Sequence, residues 1–302
     1  MVNGIINVYK EAGYTSHDVI ARMRGILKQK KIGHTGTLDP QAKGVLPVCL
    51  GNATKVSSIL TDESKTYEVI GLLGVVTDTQ DTFGEMIERN DVKVQKIQLI
   101  QVIESFIGKY EQIPPMYSAK KVNGKKLYEL ARKGIAVERK ARKVFIHNIE
   151  IQDINLTTNE IKLSVDCSKG TYIRTLIHDI GQILGCGACM KELLRTRVGD
   201  FTLFTSKTLS QIENISQNNT FDTILIKVDS LFPEYTKIMV KEQYSKIIYN
   251  GNSLFPSNLI DFSLGLDKKI EKVRVYDWQN KFVAIYWYDT EKDIFKPFKM
   301  FL

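Results

Sequence analysis

Between residues 159 and 184 the period of the apolar side chains changes. Ile161, Leu163, Val165 and Cys167 alternate, as in a strand with one buried face. Ile173, Leu176, Ile177, Ile180, Ile183 and Leu184 then recur at helical spacing. Strand-like and helical stretches are interspersed elsewhere without a regular βαβ repeat. Residues 4–9, 45–50 and 66–76 read as strands, with Pro47 marking an edge or a bulge. Ser16 caps a helix whose buried stripe is Val19, Ile20, Met23, Ile26 and Leu27. An amphipathic helix fits 92–107 and ends at Gly108, and 77–84 has turn composition. The expectation is an α+β fold on a mixed or antiparallel sheet.

A chain of 302 residues is longer than most single cores use, so one large and one small domain are expected. The boundary is placed near Leu231-Phe232-Pro233-Glu234. It separates residues 1–232 from a small β-rich unit, 233–302, with one short helix (241–249) and strands at 272–276, 281–287 and 295–301. The composition, 43% hydrophobic and 25% charged, excludes a disordered or fibrous chain. Four cysteines are too few for a disulfide scaffold, and Cys186 and Cys189 read as buried thiols. Lys10 and Glu11 interrupt any secretory leader, and no apolar run is long enough to cross a bilayer. A cytoplasmic setting follows.

The net charge is +8, and residues 111–143 hold nearly all of it: ten positive and three negative side chains, net +7. A solvated surface loop is one reading. The flanking Pro114-Pro115 and the interleaved Tyr117, Asn123 and Tyr128 favour contact with a nucleic-acid backbone.

The densest chemistry lies at Gly33-His34-Thr35-Gly36-Thr37-Leu38-Asp39-Pro40-Gln41-Ala42-Lys43-Gly44. It lacks the residue order of a P-loop or of a dinucleotide fingerprint. Its glycines permit close approach to a ligand, and Pro40 restricts where the Asp39 carboxylate can point. A structural turn and a nucleophile or base remain equally open for Asp39 at this level.

Residues 33–55, Gly33-His34-Thr35-Gly36-Thr37-Leu38-Asp39-Pro40 through Gly51-x-Ala53-Thr54-Lys55, closely resemble the signature of the TruB family of tRNA pseudouridine synthases. Gly4-Ile5-Ile6-Asn7-Val8-Tyr9-Lys10, Lys65-Thr66-Tyr67, Thr77-Asp78-Thr79-x-Asp81, Met116-Tyr117-Ser118-Ala119-Lys120-Lys121 and Gly170-Thr171-Tyr172-Ile173-Arg174 fit the same family in order. Glu11 stands where the family usually has proline.

The resemblance implies conversion of uridine to pseudouridine at position 55 in the T-loop of tRNA, with no cofactor and no metal. The base is cut from C1′, turned and rejoined through C5. By the same resemblance Asp39 is the nucleophile, attacking either C1′ or the base. Arg174 pairs with it, and Tyr67 stacks on the target base. His34 supports the flipped nucleotide, Tyr172 shares a face with Arg174, and Leu194 supplies an apolar wall. Lys10, Lys120, Lys121 and Arg132 contact RNA, the last three from a thumb-like insertion at about 111–143. Residues 233–302 resemble a PUA-type RNA-binding domain. The protein is expected to work as a monomer on the T-stem-loop, without a membrane or an obligate protein partner. The alternatives are a guide-dependent ribosomal RNA synthase and a non-catalytic tRNA-binding or folding module. A metalloenzyme fits poorly, since the four histidines contain no H-x-x-x-H pair.

Overall fold

Successive side chains of a strand point to opposite faces, so a strand buried on both faces reads as an unbroken apolar run. The first strand does this: Ile5 enters one core, and Ile6 and Val8 enter another. The computed structural model describes the chain apart from Ala119, Asn123, Ala136, residues 261–270 and the side chains of Lys121 and Lys126. Asn123 and the Lys121 side chain therefore lie outside the described residues.

In chain order the first elements are β1 (Gly4–Lys10), α1 (Ser16–Leu27), β2 (Ile32–His34), β3 (Lys43–Leu50), α2 (Ser57–Asp62), β4 (Lys65–Leu73), β5 (Val75–Thr77), β6 (Met86–Arg89), α3 (Lys96–Glu104) and β7 (Gly108–Gln112). Then come β8 (Lys121–Val122), β9 (Lys125–Lys126), α4 (Leu127–Ala131), β10 (Arg142–Asn155), β11 (Glu160–Cys167), α5 (Ile173–Ile183), β12 (Ala188–Val198), β13 (Phe201–Thr202) and α6 (Leu209–Gln217). The C-terminal elements are β14 (Thr236–Met239), α7 (Ser245–Tyr249), β15 (Lys272–Tyr276), β16 (Phe282–Asp289) and β17 (Ile294–Met300).

Among the described residues, nine strands form one mixed sheet with the order β1-β3-β12-β4-β11-β10-β7; β2 pairs with β3, and β13 with β12. The β3–β12 pair is parallel and its neighbours in that order are antiparallel, so the α+β expectation holds. Helix α5 covers the sheet through Ile173, Leu176, Ile177 and Ile180, all buried, with α3 beside it through Leu99 and Ile103. Each such aliphatic side chain contributes about 1.5–3 kcal/mol by leaving water. At Gly181 a Cβ would lie 2.2 Å from the Ala188 nitrogen, so only glycine lets α5 approach β12 this closely. Helices α1 and α6 cover β1 and β3.

Several local expectations are corrected. The cap of α1 is Thr15: its hydroxyl accepts from the Asp18 amide at 3.0 Å, and the Asp18 carboxylate accepts from the Thr15 amide at 2.8 Å. Ser16 instead donates to the Leu38 carbonyl and accepts from the Leu38 amide at 2.8 Å, tying α1 to the loop of Asp39. Pro47 is neither in an edge strand nor at a bulge. Its carbonyl accepts from Thr35, so its nitrogen faces the same side, in the gap between the β12 partner at Gly44 and the β2 partner at Val48. No ladder bond is lost there. The strand expected at 66–76 breaks at Gly74 (φ +84), and Gly108 opens β7 rather than closing a helix.

Beyond residue 232, β14–β17 form a four-stranded sheet with its own core around Val273, Val283, Tyr286 and Phe295. Ile285 and Phe301 leave that core and join Ile5, Val45 and Val198 in a cluster between the two sheets. All four cysteines are free and buried, and burial pushes the thiols of Cys49 and Cys167 up to about 12. No helix among the described residues is long and apolar enough to cross a membrane.

Candidate active site

The loop from His34 to Gly44 leaves β2, crosses the start of α1 and enters β3. Three interactions fix its course. Ser16 holds Leu38, as above. Lys10, fully buried, donates from Nζ to the carbonyls of Tyr14 (2.6 Å), Pro40 (2.9 Å) and Glu11 (3.1 Å). Arg195, on β12 and 1% exposed, donates to the carbonyls of Val45 (2.8 Å) and Gly36 (3.2 Å). The loop's two ends and its Asp-Pro corner are thus pinned from beneath.

Asp39 emerges at the floor of a cleft of about 1410 Å³. Arg174, in the first turn of α5, approaches its carboxylate side-on, with Nε 2.9 Å from Oδ2 and Nη2 3.3 Å from Oδ1. Two-point contact with a guanidinium orients a carboxylate as well as attracting it. The same guanidinium donates to the carbonyls of Thr79 (2.9 Å) and Tyr117 (2.7 Å) and lies 3.5 Å from Asp81. Arg174 thereby joins four segments of the chain. Enclosure by protein pushes the pKa of Asp39 upward; the Arg174 charge pulls it down, and Asp81 adds to the rise.

His34 and Leu194 lie on the cleft wall. The Nδ1 of His34 accepts from the Gly36 amide at 3.3 Å, and burial, followed by the charges of Arg195 and His17, lowers its pKa. The imidazole is therefore neutral at pH 7. Arg132 reaches the same cleft from the insertion between β7 and β10, its guanidinium 5.5 Å from the Tyr128 ring centre.

The other expected residues sit elsewhere. Lys10 has no solvent-exposed surface; burial keeps it from touching RNA and gives it the task of holding Pro40. Tyr67 is packed in the core with Leu38 and Ala42, 8% exposed, and its hydroxyl pairs with Arg195. Tyr172 is the N-cap of α5, not part of an extended run with Arg174. Its amide and carbonyl are both held by the Gln112 side chain, and it is absent from the cleft wall. Lys120, half-buried on the insertion, is likewise outside the lining. Two residues without an expected site role bear on the site: Asp81, which lines the cleft and whose signal is the Thr-Asp-Thr-x-Asp turn, and Arg195, which lies beneath the Asp39 loop and sits in an Arg-Thr-Arg run indistinguishable from a solvated basic strand. Among the described residues, no group of three or more His, Cys, Asp or Glu side chains could hold a metal ion.

Lys10 makes a testable contribution to pH dependence. Burial lowers its pKa from 10.5 to about 8, and Lys65 is lowered to about 8 in the same way. Above that value the folded chain releases protons that the unfolded chain keeps up to 10.5, so these lysines make stability rise with pH. The four cysteines, kept protonated by burial, oppose this as unfolded thiols ionise around their ordinary value of 9.0, and they do so equally in wild type and variant. Between pH 8 and 9 each lysine adds up to about 1 kcal/mol. Urea unfolding of wild type and Lys10→Met across that window should show a shallower rise in the variant; parallel slopes would remove Lys10 from this account.

Comparison with known proteins gives the family and the fold. Residues 24–173 match the TruB family pseudouridylate synthase N-terminal domain, and residues 174–232 match the tRNA pseudouridylate synthase B C-terminal domain. The tRNA pseudouridine synthase B of Lachnoclostridium phytofermentans is 52% identical over 100% of both chains. That of Bacillus pumilus is 40% identical over 99% of this chain and 98% of its own. Among solved structures, one chain of a Cbf5-Nop10-Gar1 complex superposes with a TM-score of 0.71 at 28% identity, covering 99% of this chain and 85% of that one. An H/ACA ribonucleoprotein bound to a substrate RNA containing 2′-deoxyuridine gives 0.71 at 26% identity, with the same coverage. With its motifs in order, its sheet shared and both family domains matched, the chain belongs to the TruB family of pseudouridylate synthases.

Proposed function

We propose that this protein converts the uridine at position 55 of the tRNA T-loop to pseudouridine, with Asp39 as the nucleophile. The observation that carries the reading is the Asp39 carboxylate, held side-on by the buried Arg174 at the floor of a cleft large enough for a nucleoside. A uridine within a folded loop must leave its stack before its C1′ or C6 can be reached, at a cost of a few kcal/mol. Neutral His34 and apolar Leu194 receive the extruded nucleotide, and Arg132 meets the RNA from the insertion. Tyr67, buried under the floor, supports the Asp39 loop through Arg195; Tyr172 sets the start of the helix that bears Arg174.

Residues 233–302, built on the β14–β17 sheet, serve as a PUA-like RNA-binding unit, and 1–232 as the catalytic unit. The protein works as a cytoplasmic monomer without an obligate protein partner. Full-length relatives named tRNA pseudouridine synthase B at 40–52% identity favour this over a guide-dependent reading, whose structural relatives lie at 26–28%. The test is nucleotide-resolution mapping of pseudouridine in an unmodified T-stem-loop incubated with the purified protein alone. Modification at the single target uridine is expected; a requirement for a second RNA or protein would favour the guide-dependent relative.

Arg174→Lys tests the joining role. A lysine ammonium cannot reproduce a planar fork that meets two carboxylates and two carbonyls at once. Turnover should fall by about a hundredfold or more, with KM changing far less. A loss below about threefold would show that the fork geometry is dispensable.

A further inference from the structure

The turn between β5 and β6 presents an aromatic ring to the cleft on a tightly bonded backbone. Phe83 lines the cleft and is 64% exposed. Its amide donates to Asp81 Oδ1 at 3.0 Å, and the Thr79 hydroxyl donates to the same oxygen at 2.7 Å. On either side, Thr82 donates to the Met190 carbonyl at 2.9 Å and Met190 donates to the Gln80 carbonyl at 3.0 Å, fastening the turn to β12. The Thr175 hydroxyl on α5 donates to the Gln80 side chain at 2.8 Å. At Gly84 a Cβ would lie 2.2 Å from both Asp78 Oδ1 and Thr79 Oγ, so the backbone is already folded tightly. Arg174, which grips Asp39, also grips Thr79 and Asp81. The backbone that carries Phe83 is therefore tied to the nucleophile through one guanidinium.

A large apolar side chain left in water on so constrained a turn gains nothing for the fold: among the described residues, Phe83 is outside every buried cluster. Extruding a uridine uncovers the faces of the bases that flanked it, and an aromatic ring can cover one of them again, at about 1–3 kcal/mol per base. We infer that Phe83 is the stacking platform for a nucleobase neighbouring the extruded uridine, an assignment that rests on the function proposed above. It binds by π-face and not by charge, so it adds affinity without adding salt dependence.

The experiment uses the full chain carrying Asp39→Asn, so that substrate is not consumed, and an unmodified T-stem-loop with 2-aminopurine beside the target uridine. Adding Phe83→Ala should weaken binding about 5- to 150-fold and abolish the stacking-dependent quench of the probe. Phe83→Trp should restore both, the slope of log Kd against log salt should not change, and thermal unfolding should match the Asp39→Asn parent. Unchanged affinity and quench in the alanine variant, or failure of tryptophan to restore them, overturns the assignment. Wild-type protein assayed on the same stem-loop separates the two levels: formation of pseudouridine upholds the function whatever Phe83 does, and its absence removes the function and this inference together.

Discussion

Asp39→Asn will abolish pseudouridine formation, by at least about a thousandfold, while tRNA binding stays within about threefold of wild type. The amide has the carboxylate's shape and keeps an oxygen for Arg174, so the loop pinned by Lys10, Ser16 and Arg195 has no reason to move. What disappears is the negative charge and the electron pair that attacks. Wild-type activity should also carry an acidic limb. Enclosure raises the Asp39 pKa above its ordinary 3.8, so turnover should fall as pH drops through a value higher than that. Nucleotide-resolution mapping, a filter-binding isotherm and a pH profile measure the three quantities. Normal turnover in the asparagine variant would remove Asp39 as nucleophile; equal loss of binding and turnover would make it a binding residue.

Gly44→Ala is expected to be the most damaging small substitution for the fold. Gly44 has φ +112, and an added Cβ would sit 2.1 Å from the Arg195 carbonyl oxygen and 2.9 Å from its backbone nitrogen and carbon. These are backbone atoms in the parallel pairing of β3 with β12, so nothing flexible can yield. The strands must part, and the guanidinium that pins both ends of the Asp39 loop leaves with them. The cost should exceed about 3 kcal/mol, a large share of a typical 5–15 kcal/mol, and should lower Tm by about 10 °C or prevent accumulation. Gly13→Ala is the control: φ is +87 but no heavy atom lies within 4 Å, so only about 1 kcal/mol of conformational cost applies. Thermal melts of the two variants decide the matter; a Gly44→Ala melt matching that of Gly13→Ala would show that the β3–β12 contact yields readily.

The elements legible in the amino-acid pattern were those with an undisturbed period. Helix α5 and strand β11 fall where the spacing of Ile161–Cys167 and Ile173–Ile183 puts them. Strands β10 and β12 were not legible, and the structure gives the reason. Both carry two register shifts, at Ile146/Asn148 and Ile151/Asp153 in one and at Met190/Glu192 and Arg195/Arg197 in the other. Each shift reverses which side chains face the core, so no single alternation survives along the strand. The site shows a parallel division. Motif residues brought Asp39 and Arg174 into view, and the structure sets them 2.9 Å apart. Counting cations could not separate a lysine that meets RNA from one like Lys10, whose three carbonyl partners come from a strand end, a turn and a loop. Arg195 is illegible in the sequence for the same reason: burial of a cation is settled by which backbone carbonyls fold over it.

The shared cluster of Ile5, Val45, Ile285 and Phe301 has a consequence for biogenesis. Asn52 also bonds the Phe301 carbonyl at 3.0 Å, so an early segment of the polypeptide is clasped by one of the latest. On the ribosome, the cluster that Ile5 enters stays partly uncovered until residue 301 has emerged, whereas Ile6 and Val8 are covered earlier by α1 and α6. Contacts this distant along the chain close slowly, and the waiting surface is open to wrong partners in the meantime. Nascent molecules should therefore offer this cluster to holding chaperones for as long as β17 is still in the exit tunnel.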